Sequence, residues 1–217
     1  MSRPKTSRAP AVDMLTKTRP LQDRSRQTYE AILESTAQLL EEIGIERLST
    51  NLICERAQLT PPALYRYFPN KYALLRELGI RLMQAQDEAV FAWIDAGGLR
   101  AATQQEAFEK NQEIHQRVID ITRRQPGALW ILRALRAVPA MWEVRITSRA
   151  NVAERLFQAM RAQYPNTSEP DLRRAVRLNL ELASAATEMV LEEPENEAEE
   201  ITAELSWMMV TYYSRFS

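Results

Sequence analysis

From residue 23 onward, apolar residues recur three and four positions apart, and nowhere do they alternate at the two-residue period of a strand. The pattern predicts an all-α chain of about nine helices. The first opens at Asp23 as its N-cap. It turns Tyr29, Ile32, Leu33, Thr36, Leu39, Leu40 and Ile43 to one side and stops at Gly44. A short second helix starts at Ser49 or Thr50 and carries Leu52, Ile53 and Ala57. The third is shorter still. Thr60 caps it, and Pro61 and Pro62 fill first-turn positions whose N–H groups have no helical partner anyway. Pro69-Asn70 ends it after Phe68.

A fourth helix runs over about 71–95, with Leu74, Leu75, Leu78, Leu82, Met83 and Val90 in register, until Gly97-Gly98 breaks it. The fifth (about 103–124) stops at Gln125-Pro126-Gly127, and the sixth (128–138) ends before Pro139. The seventh continues to about residue 163. Ser168 and Asp171 form a capping-box-like start for the eighth. Pro194 separates the ninth, whose opening glutamates suit a helix N-terminus.

The first 22 residues have no period and several breakers, so they read as a disordered basic arm. The organisation expected is therefore an arm (1–22), a compact three-helix unit (23–70) and a larger helical unit (71–217). Net charge is −1, but it is unevenly spread. Residues 1–81 hold 13 Lys and Arg against nine Asp and Glu, and the remainder holds 15 against 20. A basic front and an acidic back suit a protein that presents one end to a polyanion. The single cysteine, Cys54, excludes an intrachain disulfide and a cysteine-rich metal site, and reads as a small buried apolar residue. With one histidine and no glycine-rich phosphate loop, no catalytic constellation stands out, so neither an enzyme nor a cofactor is expected. No stretch approaches the ~18 apolar residues of a membrane span, and a cytoplasmic location is expected.

The chemistry concentrates in residues 48–75, LSTNLICERAQLTPPALYRYFPNKYALL. This reads as helix, tight turn, short helix. Leu64 and Phe68, four apart, anchor the short helix inward, which leaves Pro61, Pro62, Ala63, Tyr65, Arg66 and Tyr67 to face outward. A helix this short is unstable alone, and a recognition helix in a major groove would explain its aromatic and basic face. The segment resembles the TetR family of regulators through Leu64, Tyr65, Tyr67, Phe68 and Lys71, with Leu48, Thr50 and Ile53 before them and Leu74 and Leu75 after. The resemblance is specific over about residues 25–80. Two positions depart from it. Gln58 stands where the family usually has glycine in the turn, which suggests a slightly different turn shape, and Cys54 replaces the usual alanine.

The resemblance implies a homodimeric helix-turn-helix regulator, most simply a repressor, that binds a palindromic operator in double-stranded DNA. Thr50 and Asn51 would touch phosphates at a helix N-terminus. Thr60, Pro61, Pro62, Ala63, Tyr65, Arg66 and Tyr67 would meet the groove, and Lys71 a phosphate. The last two helices would form the dimer interface through Leu172, Val176, Leu180, Ala183 and Thr187 with Ile201, Leu205, Met208 and Tyr212. Helices four to seven would enclose a pocket for a small, hydrophobic effector, lined by Phe91, Trp93, Phe108, Gln112, His115, Trp130, Met141 and Trp142. Two other readings stay open: a helical protein-interaction module, and an activator with no small-molecule inducer.

Overall fold

The computed structural model describes residues 15–17 and 23–216, and among them all regular structure is helical. The helices are α1 (Asp23–Arg47), α2 (Thr50–Arg56), α3 (Pro61–Tyr65), α4 (Lys71–Asp95), α5 (Gln104–Arg123), α6 (Ala128–Ala137), α7 (Trp142–Arg161), α8 (Glu169–Glu192) and α9 (Glu195–Ser214). A single 3-10 turn, Pro139–Met141, joins α6 to α7. Most of the expected basic arm lies outside the described residues. Within it, Lys17 is ordered against α3: its amide donates to Tyr67 O at 2.8 Å.

Local chemistry sets several helix ends where the sequence placed them, although α3 ends at Tyr65 rather than after Phe68. Gly44 leaves helical geometry at φ 72°, ψ 176° and ends the regular part of α1. Asn70 caps α4 by accepting from the amides of Tyr72 and Ala73. Ser168 accepts from Asp171 N and donates to its carboxylate at 2.6 Å, opening α8. Thr60 takes the N-cap conformation of α3 but makes no capping bond with its side chain. Pro61 and Pro62 leave few amides there to cap, so its hydroxyl is not used by the helix.

One large core runs from α1 to the start of α7. Ile32, Leu40, Ile53, Leu64 and Phe68 belong to it together with Leu74 and Leu75 of α4, Ile131 and Leu135 of α6, and Met141. The core therefore passes straight through residue 70. The five-residue α3 is held by Leu64 and Phe68, both fully buried, each contributing about 2 kcal/mol by area. Helix α6 lies directly against α1: the Trp130 indole packs on Gly44, where an added Cβ would sit 3.0 Å from the ring. Smaller clusters tie the far end. Phe157, Met160, Leu172 and Val176 join α7 to α8, and Ile119, Val190 and Ala198 join α5, α8 and α9.

Candidate nucleic-acid interface and ligand cavity

Helices α2 and α3 form the helix-turn-helix. The Ser49 hydroxyl caps α2 by accepting from Leu52 N, and a two-pronged ion pair of Arg56 with Glu42, at 2.8 and 2.6 Å, pins α2 to α1. The turn between them is left-handed at Gln58, with φ 53°. Glutamine here takes a conformation that glycine would take more cheaply. Cys54 is buried, and burial pushes its thiol up.

The structure gathers most of the expected DNA-facing residues on one surface. Asn51, Thr60, Pro61, Pro62, Tyr65 and Arg66 are exposed, with Thr50 and Ala63 partly so. Tyr65 Oη and Thr50 Oγ1 share a hydrogen bond at 3.0 Å that clasps the N-terminus of α2 to α3. Leu52, an apolar residue on a short helix that read as core, is 37% exposed.

One expectation is corrected, and one residue is found engaged within the chain. Tyr67 is buried, packed edge-on against Tyr29 with centroids 5.8 Å apart, while Phe68 stacks on the same ring at 4.9 Å. The helix ends at Tyr65, so the tight turn that follows (Tyr67 N to Leu64 O, 2.9 Å) swings Tyr67 inward. Lys71 is also engaged. Its ammonium donates to Ile45 O at 3.1 Å and Leu48 O at 3.0 Å, tying α4 to the frayed end of α1. Its first role is structural.

The second half encloses a cavity of about 140 Å³, below the roughly 300–1,000 Å³ usual for drug-sized ligands. Its walls come from α4, α5, α7, α8 and α9, with Leu132 of α6 and Leu99. Of the eight expected lining residues, only Trp93 and His115 line it. The others are placed elsewhere. Trp130 sits on Gly44, Met141 is in the main core, Phe108 stacks on Trp207 at 4.5 Å, and Trp142 is 53% exposed. Phe91 and Gln112 are half-buried and off the wall.

The expected dimer stripe is corrected as well. Leu172 and Val176 are buried within their own chain, and Leu180, Ala183 and Thr187 line the cavity. Leu205 is buried, Ile201 packs beside Val190, and Tyr212 joins a ring cluster with Tyr213 and Phe216. Only Met208 faces out, at 56% exposure. The outward apolar residues are instead Leu178, Leu182 and Met189 of α8 with Trp207 and Met208 of α9.

Polar groups make the cavity amphipathic rather than simply oily. Burial drives the His115 imidazole down to about 4, so it is neutral near pH 7, and its Nε2 lies 3.2 Å from Met209 Sδ. Asp87 accepts from Ser148 Oγ at 2.7 Å; burial raises its carboxyl, an effect that Ser148 and Arg149 oppose. Gln86 donates to Thr122 at 2.7 Å. Burial lowers the Arg149 guanidinium, whose Nη1 donates to Leu180 O at 2.6 Å and whose Nη2 contacts Ser184. Gly98 supports the Trp93 ring so closely that a Cβ there would lie 2.1 Å from it.

A helix-turn-helix carried on a helical body with a built cavity defines a DNA-binding transcriptional regulator. The model for "Bacterial regulatory proteins, tetR family" matches residues 32–78, and that for "Tetracyclin repressor-like, C-terminal domain" matches residues 111–212. The chain belongs to the TetR family. It is 43% identical over 49 residues to the tetracycline repressor protein class C of Escherichia coli, a match covering 23% of this chain and 22% of that relative's length. A transcriptional regulator of Pseudomonas aeruginosa PAO1 superposes with a TM-score of 0.68 at 16% identity, over 91% of this chain and 96% of that one. A TetR-family regulator from Streptomyces coelicolor gives 0.53 at 23% identity, over 88% and 99%. At these identities the solved structures speak for the fold. Among the described residues no helix is long and apolar enough to cross a membrane.

Proposed function

We propose that the chain is a non-enzymatic repressor acting in the cytoplasm, a homodimer that binds a palindromic operator through α3 and releases it when a small molecule occupies the cavity. The observation that carries this reading is the continuity of α4 and α6: each contributes to the cavity wall and to the core under α2 and α3. A ligand that displaces α4 or α6 thereby moves the recognition helix. Population shift follows if the ligand fits best a dimer whose two α3 helices miss the ~34–36 Å groove spacing.

Thr50, Asn51 and Thr60 supply phosphate partners in this reading. Pro61, Pro62 and Ala63 offer apolar contact to thymine methyls, and Tyr65 and Arg66 offer hydrogen bonds to base edges or phosphates. The dimer forms on the exposed face of Leu178, Leu182, Met189, Trp207 and Met208, an apolar surface on two adjacent helices that a partner copy would cover.

The test is a salt series of binding to DNA from upstream of the chain's own coding sequence. Three proteins are compared: the parent, a Tyr65→Ala/Arg66→Ala variant, and Leu182→Glu. The parent should bind tightly with a steep salt dependence. The first variant should lose sequence preference, and the second should sediment as a monomer with affinity reduced at least tenfold. Sequence-blind binding shared by all three would overturn the reading.

A further inference from the structure

The cavity's polar groups are unequally matched. Trp93 and Asn179 are both about 93% buried on its wall, and neither Trp93 Nε1 nor Asn179 Nδ2 has a hydrogen-bond partner. The Tyr213 phenol is pushed up to about 12 chiefly by burial, with the Asn179 side chain acting in the opposite direction. Both orphans are donors. A buried donor left unmade is costly, and native interiors carry few of them.

Arg149 is a buried cation whose hydrogen bonds go only to neutral acceptors. A guanidinium has five N–H groups. Here Nη1 is spent on Leu180 O, a main-chain carbonyl inside α8, and Nη2 on the Ser184 hydroxyl, both neutral acceptors. Among the described residues no carboxylate comes within ion-pair range of Arg149. Asp87 and Glu181 act on it only from further off, Asp87 being held by Ser148 and Glu181 by Arg145. A cation and two neutral donors thus share the wall of one amphipathic chamber.

Resting on the reading of this cavity as the effector site, we propose that the effector is an apolar carboxylic acid, its carboxylate received by Arg149 and its acceptors by the Trp93 and Asn179 donors, with the hydrocarbon lying against the apolar wall. A guanidinium meets a carboxylate with two parallel bonds, which a hydroxyl or amine cannot accept. Asp87 also lines the cavity, and Ser148 occupies only its Oδ1, so a cationic ligand is the competing outcome that the amine probes test.

The test uses full-length protein and two matched triplets of probes: decanoate, 1-decanol and decylamine, and 4-phenylbutyrate with its alcohol and amine. Tryptophan fluorescence and calorimetry read binding. At least one acid should bind at least tenfold more tightly than its alcohol and amine. Arg149→Met should bring acid and alcohol within about twofold of each other, while Arg149→Lys retains part of the preference; a melt checks that each variant folds. The proposal is overturned if an alcohol or amine binds as well as its acid, if Arg149→Met keeps the preference, or if neither acid binds at millimolar concentration. Release of labelled upstream DNA is measured alongside. Acid binding without release would sink the induction reading and leave the ligand class standing, whereas release by the alcohol alone would do the reverse.

Discussion

Gln58 isolates a backbone energy from every other term. It is exposed, so its side chain contributes little packing, and it sits at φ 53° in the turn between α2 and α3. A non-glycine residue in the left-handed region costs roughly 1–2 kcal/mol, because Cβ crowds the following carbonyl. Replacing it with glycine removes that cost but gives the unfolded chain more freedom, worth roughly 0.5–1 kcal/mol against folding. The difference predicts that Gln58→Gly stabilises the protein by about 0.5–1 kcal/mol, or roughly 1–4 °C in melting temperature at this chain length. Gln58→Asn should fall between the two, since asparagine tolerates this region. Gln58→Val should lose about 1 kcal/mol, because branching at Cβ worsens the clash. The assay is urea unfolding of all four proteins at one protein concentration, since association shifts the midpoint. A glycine variant less stable than the parent, or a valine variant equal to it, would refute the reasoning.

Other residues make sharper contrasts. Lys71→Met should cost about 1–2 kcal/mol by leaving the Ile45 and Leu48 carbonyls unmatched, yet leave the salt dependence of DNA binding unchanged. Arg66→Ala should lower that slope by about one and barely move the melt. Gly98→Ala should drive the new methyl into the Trp93 ring, destabilising by about 1–3 kcal/mol and changing the near-ultraviolet circular dichroism. His115 is depressed to about 4 in the folded state from an ordinary 6.5, so the unfolded chain binds the proton first. Stability is therefore full above about pH 6.5 and falls as pH drops towards 4, by up to about 3 kcal/mol; His115→Gln should flatten that part of the stability–pH curve.

The helices were legible because their stops are chemical: Gly44, Asn70, Ser168 and Pro194 act on their own few residues. Leu64 and Phe68 were legible as anchors for the same reason. Tyr67 was not, since helical spacing points it outward only if the helix continues, and α3 ends two residues earlier. Helix α8 misled differently. It carries two apolar stripes, and the richer one (Leu172, Val176, Leu180) faces its own chain while Leu178, Leu182 and Met189 remain outside. The cavity was least legible. Its wall is drawn from separate helices, and Arg149 and Asn179 look like ordinary surface residues until tertiary packing brings them to one chamber.

The seating of α6 on α1 limits which parts of this molecule can be exchanged. Trp130 rests on Gly44, and a Cβ added at Gly127 would lie 3.0 Å from Ala37 O and from Leu40 Cβ. A chimera joined at residue 70 would place a foreign α1 over an indole seated on a glycine, and a side chain at position 44 would strain the backbone and push the Trp130 ring. Reading heads and effector chambers of related regulators would thus recombine only when they inherit matching halves of this joint. The smallest portable unit is then not the helix-turn-helix alone but α1–α3 together with the faces of α4 and α6 beneath it.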